Sequence, residues 1–156
     1  MSGSVDAQAV FKTDQGARRV AVVIRAGIPA SHQGRGQGEP IYPDSVTDVA
    51  KLLRQEGVEV SYEHDRDQRK ILSLNSAEVW IPVLAFVTDV GVNVPANIVA
   101  TMIVNYFGGR SRAEKSVLHV EFEESTPDGS QRKFNASGPG ALVLEAIDKF
   151  GRQEDV

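Results

Sequence analysis

The sequence predicts an α+β domain, a two-layer sandwich in which a mixed sheet of about five strands carries helices packed on its face. Three observations lead there. Val58 to Tyr62 and Leu118 to Phe122 alternate apolar with polar residues, the period of half-buried strands. Val46 to Leu53 and Val143 to Phe150 place apolar residues at helical spacing, the period of helices with one buried stripe. Along the chain the order reads strand, helix, two strands, a long apolar helical region, two strands and a helix, which suits a mixed sheet with helices on its face.

The first strand is expected at Arg19 to Ala26, where Val20 to Ile24 is a run of five apolar residues rich in β-branching. Gly27 to Pro43 follows, with four glycines and three prolines, and reads as a long loop; loops of that length in compact domains often carry function. The next helix has Asp44 or Ser45 as its cap, Ser45 and Asp48 at capping-box spacing, and Gly57 as its stop. Val58 to Tyr62 is then a strand, HDRDQRK a charged turn, and Ile71 to Leu74 the returning strand of a hairpin. Near the other end, VLHVEFEE and RKFNA flank the turn STPDGSQ and predict a second hairpin. Pro139 lies near the start of the final helix, with Gly151 as its stop. Residues 1–18 read as a flexible tail, 19–151 as a single domain, and 152–156 as a frayed end.

Between the two hairpins runs an apolar segment from Ile81 to Phe107, long enough to raise the question of a membrane. Its polar residues Asp89, Asn93, Asn97, Thr101 and Asn105 are four apart and follow one stripe of a helix. Gly91 interrupts the run and Asn93 stands where a cap would, so two helices are expected, Pro82 to Val90 and Val94 to Phe107. At about 1.5 Å per residue neither spans the ~30 Å of bilayer hydrocarbon. A soluble core pair is the expectation, and a membrane-inserting helical hairpin the alternative.

Composition narrows the function classes. Apolar residues at 41% and charged residues at 24% describe a folded globular chain. The absence of cysteine removes disulfides and thiolate chemistry and suits a cytoplasmic location. With 21 acidic against 17 basic residues and no dense basic cluster, no nucleic-acid partner is expected. No cofactor or metal is implied, and no catalytic residue is assigned, because neither a nucleophile elbow nor a kinase or zinc-protease signature occurs.

Two surfaces remain as candidates. The loop HQGRGQGEP spaces Gly34, Gly36 and Gly38 between a strand and a helix; with Arg35 and His32 these residues would cradle a small anionic ligand or nucleotide phosphate. The helix from Val94 to Phe107 is apolar on three sides. Val94, Ile98, Met102, Ile103, Tyr106 and Phe107 are therefore the expected interface for a second copy or a protein partner. Glu63, His64, Asp65 and Asp67 have cation-ligating chemistry but equally describe a solvated turn. Asp89 would matter only if buried, and His119 is expected at the surface.

From Tyr62 to Phe150 the chain resembles, in element order, the effector-associated constant-component modules of bacterial conflict systems. VLHVEFEE, TPDGSQ, RKFNASG and ALVLEAIDKF are the closest parts. The resemblance implies a non-enzymatic adaptor that associates homotypically, and transfers no site residue. A non-catalytic interaction module is thus the leading expectation, with a small-ligand sensor as the alternative.

Overall fold

A computed structural model describes residues 20–31, 34, 35, 39–74 and 77–152. The fold is α+β, a mixed sheet with helices packed against it. The strands are β1 (Val20–Arg25), β2 (Ile41–Pro43), β3 (Glu59–Tyr62), β4 (Lys70–Leu72), β5 (Glu78–Trp80), β6 (Val83–Thr88), β7 (Val117–Ser125) and β8 (Gln131–Pro139). The helices are α1 (Val46–Gln55), α2 (Val94–Phe107), α3 (Arg110–Glu114) and α4 (Gly140–Arg152). The predicted N-terminal tail, and the C-terminal end beyond Arg152, lie outside the described residues.

In the main sheet β3 lies parallel to β1, β1 antiparallel to β6, β6 parallel to β7, and β7 antiparallel to β8. β5 also pairs with β7 in parallel, on the edge that β6 uses. Trp80 pairs with His119 but Leu84 with Phe122, so three residues of one strand face two of the other. This is a β-bulge, and it falls at Ile81 and Pro82, where proline has no N–H to give the ladder.

The apolar run is therefore one strand and one helix, which corrects the predicted helix at Pro82 to Val90. A short apolar stretch is helix or strand by periodicity alone, and here two open sheet edges decide it. β6 takes the ladder positions between β1 and β7, and its Leu84, Phe86 and Thr88 are buried toward the helices. α2 is the middle helix of its layer, flanked by α1 and α4 and lying over the sheet. Ala96, Val99, Ala100, Met102 and Ile103 are buried, Val94, Ile98, Tyr106 and Phe107 half-buried, and Asn97, Thr101 and Asn105 form its exposed stripe. Among the described residues no helix is long and apolar enough to cross a membrane.

Other departures have local causes. β4 does not return along β3 but pairs in parallel with β2, a strand inside the predicted loop. Ser45 is the N-cap of α1 without a side-chain cap bond, because its hydroxyl donates to the Trp80 carbonyl at 2.5 Å. Gly151 lies inside α4 instead of ending it; a Cβ there would come within 3.3 Å of the Ala96 Cβ, so its role is the close approach of α4 to α2.

The core is sealed by aromatic contacts. Phe122 is 1% exposed, stacks on Phe134 at 5.0 Å, and meets Phe86 and Phe150 edge-on at 6.2 and 5.6 Å. The chain enters α4 through a tight contact, in which the Gly140 amide donates to the Ser116 carbonyl at 2.6 Å. A Cβ on Gly140 would fall 1.8 Å from the Ala113 carbonyl oxygen, so α4 must move away from the end of α3 to accept any side chain. Gly140→Ala is expected to cost about 2–4 kcal/mol of stability. Chemical denaturation beside an exposed control, Gln131→Ala, checks this; equal midpoints for the two variants would show that the junction yields freely.

Candidate functional site

Since the helices cover one face of the sheet, the odd-numbered side chains of β7 and their partners on β8 point away from the core. Register pairs His119 with Ser137, Glu121 with Asn135, and Glu123 with Lys133 across that open face. Beyond β1, Gly34 and Arg35 lie at the same face. Gly34, at φ +78°, sits so close to Ile41 that a Cβ would be 2.6 Å from the Ile41 Cβ, which leaves glycine as the residue that fits. Arg35 then reaches Glu121 with both terminal nitrogens, at 3.0 and 2.7 Å, and donates to the Ile28 carbonyl at 3.0 Å. This forked, half-buried pair raises the Arg35 pKa, chiefly through the hydrogen bonds to Glu121, and fixes the loop to the sheet.

The clamp borders a cleft of about 420 Å³ lined by Arg25, Arg35, Glu63, His64, Glu121, Glu123, Lys133 and Asn135 among others. It lies where β1 and β3 end, the end of a parallel pair at which open sheets bind ligands. Most of its polar groups are already committed. Arg35 holds Glu121, Arg25 lies 3.5 Å from Glu123, Glu63 accepts from the Ala26 amide at 2.9 Å, and His64 Nδ1 meets the Tyr42 hydroxyl at 3.1 Å. Lys133 and Asn135 are exposed and make no such bond among the described residues.

One step along the face is a second cluster. His119 Nε2 is 2.6 Å from Glu78 Oε1, and its Nδ1 is 2.9 Å from Ser137 Oγ. The imidazole stacks on Trp80 with centroids 4.6 Å apart and planes 11° from parallel. The expected surface histidine is thus 15% exposed in its side chain and held on three sides.

Of the ligand residues read from the loop, Arg35 lines the cleft with its guanidinium occupied by Glu121, and Gly34 packs against Ile41. His32, Gly36 and Gly38 lie outside the described residues. Of the interface residues, Met102 and Ile103 are 0% exposed and belong to the core, because α1 and α4 flank α2; Val94, Ile98, Tyr106 and Phe107 are half-buried. Asp89 is exposed in the bend after β6. Among the described residues no three acidic or histidine side chains converge as metal ligands. Lys133, Asn135 and Ser137 were missed although a signal existed: pairing the hairpin about Asp128 puts each opposite its β7 neighbour.

One charged group faces the core. Glu124 is 0% exposed and burial pushes its carboxyl from 4.5 up to about 7, against the pull of Arg132 and of the Ala96 amide in the first turn of α2. Arg132 Nε approaches it at 3.6 Å, but neither carboxylate oxygen has a hydrogen bond of ordinary geometry. Arg132 is engaged elsewhere, donating to the Phe150 carbonyl and lying 3.9 Å over the Phe150 ring.

Comparison with protein-family models, curated proteins and solved structures returned no match.

A carboxyl with a raised folded-state pKa favours the protonated fold. Its stabilising contribution is full below the unfolded value of 4.5 and is lost as pH rises through about 7. Glu124→Gln stays neutral, so its stability relative to the natural chain is expected to rise by about 1–3 kcal/mol between pH 5 and pH 8. Urea unfolding across that range checks the sign; a relative stability that falls with pH would mean that the Arg132 attraction prevails.

Proposed function

We propose that the chain is a sensor-type module that binds a small organic carboxylate in the cleft on the open face of its sheet. The observation that carries this reading is the division of labour among the lining groups. Every other charged side chain there is already paired or hydrogen-bonded, while Lys133 and Asn135, exposed on one face of β8, make no side-chain bond among the described residues. An ammonium and an amide offer a carboxylate one charge-assisted bond and one directional donor. The volume of about 420 Å³ falls in the range of small-molecule sites. Arg35, read from sequence as part of a cradle for the anion, serves instead as a wall: it spends its charge on Glu121 and the ligand charge goes to Lys133.

Self-association of an adaptor through α2 is the second reading. Its support is the half-buried set Val94, Ile98, Tyr106 and Phe107, and it is the weaker because Asn97, Thr101 and Asn105 occupy the outward stripe.

Trp80 is the only tryptophan and stacks on His119 beside the cleft, so its emission reports on the site. Titration with suberate is expected to saturate, Lys133→Ala to weaken binding about tenfold, equivalent to about 1.4 kcal/mol, and Lys133→Arg to retain most of it. Equal affinity in the natural chain and Lys133→Ala, or no saturable response, would overturn the assignment.

A further inference from the structure

We propose that Ser137 is an activated nucleophile and that the chain hydrolyses esters bearing a remote carboxylate, with His119 as general base and Glu78 as the residue that positions it. The assignment starts from hydrogen-bond direction. A carboxylate only accepts, so the 2.6 Å contact to Glu78 puts the ring proton of a neutral His119 on Nε2. Nδ1 is then left with its lone pair facing Ser137 Oγ at 2.9 Å, so the serine hydroxyl donates to it. Nucleophile, base and orienting carboxylate thus stand in one hydrogen-bonded chain, the relation that activates a serine. It uses the two ring nitrogens in the reverse of the usual assignment, which leaves the proton path unchanged. Trp80, stacked on the imidazole, holds the ring in that plane and shields one of its faces.

The surroundings suit attack on a carbonyl. Ser137 is exposed. Gly138 follows it at φ +139°, a backbone conformation that other residues rarely adopt.

The substrate class rests on the carboxylate reading above. Asn135 and Lys133 precede Ser137 by two and four positions on the same face of β8, so the Lys133 Cα lies ~13 Å from that of Ser137 at about 3.3 Å per residue. A medium-chain diacid esterified at one end spans the interval, its free carboxylate at Lys133 and its ester carbonyl at Ser137.

In the first step the Ser137 Oγ–carbon bond forms, the hydroxyl proton passes to His119 Nδ1, and the carbonyl π pair moves onto oxygen. Collapse of that adduct breaks the bond to the leaving oxygen, which takes the proton from His119. Water then attacks the acyl-serine with His119 again as base, and carboxylic acid and free serine are restored. No oxidant or further reactant is needed. Glu78 steadies the imidazolium formed in each half.

The test uses the full chain with the p-nitrophenyl monoester of suberic acid, followed by nitrophenolate release and by intact mass. An acyl adduct mapping to Ser137 is expected, absent in Ser137→Ala. His119→Asn should slow acylation by about 100-fold or more, the usual scale for a general base. Glu78→Gln should lower kcat with KM unchanged, whereas Lys133→Ala should raise KM with kcat unchanged. A merely structural role for Glu78 would not divide the two constants in this way. All four residues lie on the open face, and circular dichroism confirms that each variant is folded. Acylation that persists in Ser137→Ala, or that is unchanged in His119→Asn, overturns the nucleophile. If suberate binds but Ser137 is not acylated, the catalytic proposal fails and the binding reading stands. If neutral p-nitrophenyl octanoate acylates Ser137 as efficiently as the monoester, the nucleophile stands and the carboxylate specificity falls.

Discussion

Helices cover this sheet on one face only, and that constraint organises the rest of the molecule. A strand exposes its side chains alternately, so every strand must bury one set of residues and find a polar use for the other. β7 shows the division: Leu118, Val120, Phe122 and Glu124 face the helices, and His119, Glu121 and Glu123 face outward. On the inner side Phe86, Phe122, Phe134 and Phe150 close the core. On the outer side most of the polar residues pair with one another, and Arg35 is held among them by Glu121. Cleft and serine–histidine–carboxylate chain are both consequences of leaving that face open.

Glu124 breaks the pattern and indicates its cost. A carboxylate on the helix side of β7 has an arginine and a helix N-terminus nearby, yet Arg132 is drawn away to Phe150, and burial outweighs both attractions. The site is the one place in the core where charge and packing oppose each other, and it joins the first turn of α2 to the end of α4.

Much of the fold was legible because period and punctuation agreed. α1, β3, the β7–β8 hairpin and α4 follow directly from apolar spacing, and the capping positions of Asn93 and Gly57 hold even though neither Ser45 nor Asn93 makes a side-chain cap bond. β6 was not legible. Val83 to Thr88 is apolar on both sides, so its period does not separate strand from helix, and the deciding fact is the pairing offered by β1 and β7, which are distant in sequence. Of the α2 residues that suggest a partner when the helix is read alone, Met102 and Ile103 are buried among the neighbouring elements, while Val94, Ile98, Tyr106 and Phe107 are half-buried. In the candidate site Arg35 was visible as a ligand residue, and Glu63 and His64 as a charged group at the end of a strand. Lys133, Asn135 and Ser137 lay in an ordinary-looking strand, and Glu78 in a short one that period does not reveal; their relation to His119 and Glu121 appears only when register is known.

The central claim is that the open face, and within it the end of the cleft at β8, is where this chain meets its ligand. An amide NMR perturbation map with suberate added to the natural chain tests it most directly. Shifts are expected to concentrate at Ala26, Glu121, Lys133 and Asn135 and to fade toward the helix layer. Shifts centred on α1, α2 or α4 would contradict it and place the functional surface on the opposite side of the sheet.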